Sequence, residues 1–326
     1  MFYCKEIEFT AATDAWEKAK NCSLFCSPTL LKNFGYKARY FGGYKNNNLL
    51  IVWPLIESKS GLSKVPLFSY FFGPFWVDTE LYGAPYKMFK NNLEVLNSMF
   101  PVVDKVASKV SFSLVPEFPD LRPFMWWNYH NPVGSKFDIK LRYTGRIEFI
   151  NRLSEDELIN QFRADDKRKK IKKAIRSGCL ATRWGISIQP HEYLNLYLAT
   201  LKRTGGSSND ETNQALIKMI DLVNGNCISS ANFKIIELVD VVKNTVEGFQ
   251  LVLIGKEMIY LIAQSVTAEA MGKNGNLLLT FEAIKYANIN RLNLDFNGAN
   301  SPTRAEDKHA FGACIKSYYD IELVNQ

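Results

Sequence analysis

Several short stretches hold residues whose types and spacing can do chemistry. In MGKNGN, Gly272, Gly275 and Asn276 lie between a strand-like run and an amphipathic helix. Free backbone amides and the positive end of the helix dipole can hold a phosphate at such a place, although glycine also serves there simply to turn the chain. In LNLDFNGAN, Asp295 stands near the end of a predicted strand, just before Asn297 and Gly298, where a carboxylate can take up a proton or orient a substrate. The run DDKRKKIKKAIRSG has helical spacing that places Lys169, Lys172, Lys173 and Arg176 together on one face, with Ile171 and Ile175 as an apolar strip. Arg304 and Lys308 fall in a polar segment read as a loop able to grip a phosphate, and Tyr318 and Tyr319 can each offer a phenol as general acid. Each group also has a plainer reading as a turn residue, a solvated charge or a packed ring.

The surrounding elements must position these groups. FYCKEIEF reads as a strand, followed by a helix from Thr13 to Lys20 with Thr13 as its cap. ARYFGGYKNNNLLIVWPLIESKSGL gives two strands around the polar turn KNNN, and the aromatic run VPLFSYFFGPFW is too broken by Gly and Pro for a helix. Helical spacing returns from Pro85 to Ser98, and VASKVSFSLVP reverts to strand character. Ser154 and Glu157 form a capping box, Asp165 or Asp166 restarts the helix, and Gly178 can stop it. NFKIIELVDV, EGFQLVLIG and EMIYLIAQSV then make a three-stranded antiparallel meander that leads through the glycine loop into a helix and the strand of Asp295.

The chain has 326 residues, long enough for two domains, each with its own core. A hydrophobic content of 47% and a charged content of 22% are globular values. No run of about 18 apolar residues is present to cross a bilayer, and the charges in MFYCKEIEFT do not suit a signal peptide, so a cytoplasmic protein is expected. Cys4, Cys22, Cys26, Cys179, Cys227 and Cys314 are scattered and read as free buried thiols. With only three histidines beside them, no metal site is expected. Residues 163–176 hold eight basic and two acidic side chains, against a net charge of +7 for the whole chain. So concentrated a charge suits a polyanionic partner better than a generally basic surface does.

The succession of a meander, a glycine-flanked loop, a helix and a strand is similar to the layout of the GNAT acyltransferases. Within that superfamily the chain resembles the FemAB-related branch, the peptidoglycan bridge-forming, methicillin-resistance type. The resemblance rests on SEDELINQFRADDKRKKIKKAIRSGC, TGG, GNLLLTFEAIKYANINRLNLDFNGANS and KHAFGACIKSYYDIEL, and in the first half on LLIVWPLIESKSGLSKVPLFSYFFGPFW. It implies an α/β (α+β) fold of two tandem GNAT-like domains, each a mixed sheet flanked by helices, with residues 1–145 and 146–326 as the two domains. It also implies transfer of an acyl or aminoacyl group to an amine of a cell-envelope or polysaccharide precursor. The chain lacks a heptad arm of the kind some members carry, and MGKNGN matches only part of the pyrophosphate-loop pattern of acetyl-coenzyme A enzymes.

Amine acylation needs a deprotonated amine, a held thioester or ester, and stabilisation of the tetrahedral oxyanion. No Ser-His-Asp or Cys-His arrangement is recognisable, which points to direct attack in a ternary complex. No cofactor is expected to be tightly bound; acyl-CoA, acyl carrier protein and aminoacyl-tRNA all remain as donor substrates. Three readings stay open: an acyltransferase, an aminoacyl-tRNA-dependent peptidyltransferase whose lysine helix contacts tRNA phosphates, and a non-catalytic binding protein on a degenerate GNAT fold. The acceptor, the acyl chain and the oligomeric state are not readable from these residues.

Overall fold

A computed structural model describes residues 1–19, 22–57, 65–77, 85–107, 109–149, 152–224 and 232–324. The chain forms two compact units, Met1–Arg142 with Ser317–Gln326, and Tyr143–Lys316.

In the first unit β1 (Phe2–Ile7) pairs antiparallel with β2 (Ala38–Lys45), and α1 (Phe9–Lys18) and α2 (Pro28–Asn33) lie between them in sequence. The helix expected from Thr13 starts four residues earlier. Its apolar stripe begins before Thr13, with Ala12, Ala15 and Trp16 buried, and the Thr13 hydroxyl donates back to the Phe9 carbonyl at 2.8 Å from inside the helix. β2 continues through the turn at Asn46, in the left-handed region, to β3 (Asn48–Ile56), which pairs with β4 (Phe75–Trp76). α3 (Pro85–Val106) runs past Ser98 and through Pro101, because Met99, Phe100 and Val103 extend the fully buried stripe of Val95 and Leu96. β5 (Val110–Leu114) follows, then α4 (Arg122–Trp126).

Trp53 of β3 centres this core, edge-on to Phe100, Phe112 and Phe124, the Phe112 ring lying 4.9 Å away. Such aromatic pairs add roughly 0.5–1.5 kcal/mol each beyond the area they bury.

The second unit is a mixed sheet. β6 (Lys136–Ile147) enters it at Tyr143. Two short helices follow, α5 (Glu155–Asn160) and α6 (Asp165–Ser177), then β7 (Leu180–Trp184), α7 (Pro190–Arg203) and α8 (Asp210–Asn224). The meander is β8 (Asn232–Asp240), β9 (Thr245–Ile254) and β10 (Met258–Val266). After it come α9 (Ala268–Gly272), α10 (Gly275–Asn290), β11 (Asn293–Asp295), α11 (Pro302–Ala310) and β12 (Cys314–Val324).

Strand order in this unit is β6-β11-β10-β9-β8-β7. β12 leaves at Ser317 to join the first unit, where it pairs antiparallel with β5, Tyr319 opposite Leu114. Leu279, Ala283, Ile284 and Ala287 of α10 are buried in a core shared with β8, β9, β10 and β11, and Leu277, Leu278 and Phe281 bury its other faces. A helix so largely apolar packs into a core, with the Glu282–Lys285 ion pair on its remaining face.

Two features of this sheet matter for the site. β10 and β11 are parallel, but they pair only over Met258–Tyr260 and Asn293–Asp295, after which β10 runs on to Val266 paired with β9 but no longer with β11. A bulge between Leu261 and Ala263 interrupts the pairing of β10 with β9 just past that point. A bulge bends its strand and re-aims the side chains around it. The end of β11 therefore lies where neighbouring strands part.

Candidate functional site

Asp295, the last residue of β11, is wholly buried. Its carboxylate accepts from Thr144 Oγ1 at 2.5 Å, from Arg146 Nε at 2.6 Å and from the Asn297 amide at 2.8 Å. Thr144 and Arg146 reach it because β6 pairs antiparallel with β11, placing Asp295 opposite Arg146. Arg146 is buried too, so this is an internal ion pair with added hydrogen bonds, the arrangement that makes a buried charge tolerable. These three donors lock the Asp295 carboxylate in one orientation at the strand divergence. Asn297, in the left-handed region, extends the lock by donating from Nδ2 to the Leu261 carbonyl of β10 at 3.0 Å.

Lys308 lies on α11 beside this network. Its stem runs over Gly145 of β6, where an added Cβ would come within 3.1 Å of it. Among the described residues no hydrogen bond or ion pair holds its ammonium. Burial pushes that ammonium down to about 8 and the nearby Arg304 adds to the shift, while Asp295 and Asp307 partly offset it. Arg304 and Lys308 do not sit in a loop as expected: Ser301 caps a helix at Pro302, its hydroxyl accepting from the Arg304 amide. Arg304 remains exposed.

The glycine segment differs from the expected strand-loop-helix turn, since α9 intervenes and Gly272 is its last residue, with open space around its Cα. Gly275 is the buried first residue of α10. A Cβ there would lie 2.4 Å from Leu238 Cδ2 and 2.9 Å from the Ala270 carbonyl, so close packing of α10 against β8 and α9 is what demands glycine. Asn276 has its carbonyl occupied by Gln264 Nε2 at 3.1 Å and by Thr280 Oγ1 at 3.1 Å. Nearby, Lys273 is neutralised by Asp240 and Glu269.

On α6, Ile171 and Ala174 are the buried anchors, whereas Ile175 is 40% exposed. The expected Ile171–Ile175 strip is thus rotated by one residue, toward α10, against which α6 packs. Lys169, Lys172, Lys173, Arg176 and Ser177 line one shallow depression. Among the described residues Lys172 pairs only with a distant carboxylate, Asp156 at 3.8 Å, while Lys170 is tied to Asp166 and Lys167 to Asp307 of α11.

Tyr318 is buried in the first unit edge-on to Phe71, at 5.1 Å, and Tyr319 packs against that unit's aromatic core. Core packing therefore fixes both rings. Of the cysteines, Cys179 and Cys314 are exposed, against the expected burial, while burial raises the Cys26 thiol; Cys227 lies outside the described residues.

One network escaped sequence reading. Glu237 of β8, wholly buried, accepts from the phenol of Tyr193, from Arg183 Nε at 2.6 Å, from the amide of Ser187 at 2.7 Å and from the Ser187 hydroxyl at 2.8 Å. Burial alone would raise this carboxyl, but the four donors around it outweigh that and hold it below the usual range. The available signal was a lone acid inside the apolar run KIIELV.

No family model matches the sequence, and no curated protein matches it. The structure is similar to FemX, which is 14% identical, with 97% of this chain and 96% of that chain covered at a TM-score of 0.63. It is also similar to a tandem GNAT protein from the clavulanic acid biosynthesis pathway, 8% identical, with 99% and 98% covered at 0.50. L-PGS from Bacillus licheniformis is 10% identical, with 99% and 93% covered at 0.54. At such identities the likeness is one of architecture: the chain has the mixed α/β fold of two GNAT-like domains in tandem, of the FemX type.

Proposed function

We propose that the protein is an N-acyltransferase that moves an acyl or aminoacyl group from an activated donor to an amine of a cell-envelope or polysaccharide precursor. Residues 1–145 and 146–326 are the two domains of this reading, with the strand from Ser317 exchanged into the first. Attack is direct: the amine nitrogen bonds to the carbonyl carbon, the C–S or C–O bond to the donor breaks, and the amine proton passes to the leaving group.

The observation that supports this most is Lys308, a partly buried ammonium with no partner among the described residues, beside the Asp295 lock at the strand divergence. In a shielded site an ammonium stabilises a tetrahedral oxyanion strongly, and a lysine tuned near the working pH can also pass a proton. Gly272, Gly275 and Asn276 remain the proposed donor side through the start of α10, Gly275 now by allowing close backbone approach. Arg304 and the α6 depression are the proposed phosphate contacts. That depression, with Lys169, Lys172, Lys173 and Arg176 grouped in it, favours aminoacyl-tRNA as the second donor reading.

The test is a mass-spectrometric transfer assay with acyl-CoA and aminoacyl-tRNA donors and an amine acceptor, for wild type and Lys308→Met. Transfer should fall at least tenfold in the variant, on the scale of losing one oxyanion donor, about 10²-fold. Wild-type transfer should decline as pH rises through about 8 and the ammonium is lost. The folded value lies below that of a free lysine, about 10.4. The unfolded chain therefore binds more protons between those values, and folding stability rises with pH across that window. Lys308→Met should accordingly melt no lower than wild type at pH 7. Equal transfer by both proteins would remove Lys308 from the site, and no transfer from any donor by wild type would favour a binding protein.

A further inference from the structure

In the first unit, α4 and the turn after it divide their side chains sharply. Pro123 and Phe124 are buried, Phe124 against Trp53, Phe100 and Phe112, whereas Met125, Trp126 and Tyr129 are each more than half exposed. The exposed rings are held in place. Trp126 and Tyr129 lie 4.5 Å apart, the Tyr129 amide donates to the Trp126 carbonyl, and Asn128 closes the turn by donating to the Ser135 carbonyl. The first turns of α3 are joined to this segment through Arg122, whose guanidinium covers the Phe89 ring at 5.4 Å. They add exposed Tyr86 and Phe89, flanked by exposed Lys87 and Lys90.

Across residues 85–94 and 119–135 the basic side chains are Lys87, Lys90 and Arg122, and the acids are Asp120, which Arg122 already pairs, and the exposed Glu94, one turn beyond Lys90. Amphipathic rings beside lysines that no ion pair holds among the described residues are the composition that settles at a bilayer interface, where the ring body enters the acyl boundary and the cations stay among the headgroups. Lysine is, by contrast, depleted from the centres of protein interfaces.

We propose that this face, formed by Tyr86, Phe89, Met125, Trp126 and Tyr129 with Lys87 and Lys90, seats the protein on an anionic lipid surface. Association is peripheral, with rings inserted at headgroup depth and lysines facing lipid phosphates. The inference is independent of the proposed transfer reaction.

The experiment is co-sedimentation of the full chain with vesicles of phosphatidylglycerol and phosphatidylcholine, and with phosphatidylcholine alone. Wild type should partition onto the mixed vesicles and much less onto the neutral ones. Each of Lys87→Gln and Lys90→Gln should weaken partitioning about fivefold, the expected share of one basic residue at such a surface. Trp126→Ser with Tyr129→Ser should weaken it about tenfold or more. These residues are exposed, so thermal melts should stay close to wild type; a variant that melts early is replaced by Met125→Ser, read in the same assay. Absence of wild-type binding, or equal binding by wild type and the serine double variant, would overturn the proposal. So would loss of self-association in the double variant without change in vesicle binding, which would make the face an interface between copies of the chain.

Discussion

Replacing Asp295 by asparagine keeps the side chain's size but removes its charge, and the structure states what that leaves behind. The amide oxygen can still accept from Thr144 Oγ1 and the Asn297 amide, now at 2.5 and 2.8 Å. The new NH₂ group, however, faces Arg146 Nε at the position now 2.6 Å away, donor against donor, and the buried guanidinium loses its counterion. Breaking a buried pair from one side costs about 3–5 kcal/mol. Set against a typical stability of about 5–15 kcal/mol, that is a large fraction, equivalent to a fall in Tm of roughly 10 °C. Circular-dichroism melts and urea titrations measure it. The paired change Asp295→Leu with Arg146→Met should recover most of the loss, because an apolar pair of similar volume is often neutral or better. If Asp295→Asn instead melts like wild type while transfer disappears, the carboxylate acts in the chemistry and the argument from burial is wrong.

Gly275→Ala should destabilise by about 1–3 kcal/mol, the usual cost of overpacking, despite alanine's helix preference of up to about 1 kcal/mol. The added Cβ meets the Ala270 backbone and the fully buried Leu238, neither of which moves cheaply; an unchanged or raised urea midpoint would refute this. Reversing charge with Lys172→Glu and Lys173→Glu should weaken binding of a polyanionic substrate and flatten its salt dependence while leaving Tm within a degree or two, since exposed charges add little to folding. Identical salt slopes, measured from 50 to 200 mM by fluorescence anisotropy with a labelled tRNA, would make the α6 face a solvated surface.

The elements were legible where local chemistry decides them. The meander strands are apolar runs bounded by turns, and the capping box at Ser154 satisfies its own amides whatever lies beyond it. Roles were harder to read because they depend on partners distant in sequence. A strand-end aspartate has the same local pattern whether it faces solvent or an arginine 149 residues away, as Asp295 faces Arg146. A glycine at a helix start reads alike for a phosphate nest and for close packing, and the packing demand at Gly275 shows only in the approach of Leu238, distant in sequence. On α6 the spacing put Ile171 with Ile175, but where α10 packs against the helix it is Ile171 and Ala174 that are buried. Lys308 looked like a loop cation because its desolvation comes from β6, remote in the chain.

The exchange of β12 bears on the order in which the protein can be made. Val110, Phe112 and Leu114 of β5 share their core with Ile321 and Leu323 of β12, so the first unit is not closed until those residues exist. All of Tyr143–Lys316 is synthesised in between. At about 5–20 residues per second that interval lasts roughly ten to thirty-five seconds. Throughout it β5 lacks the strand that pairs with it, and an open apolar edge is a template for pairing with other chains. The segment translated first is therefore the one that finishes folding last, and its edge must be shielded on the ribosome until β12 arrives.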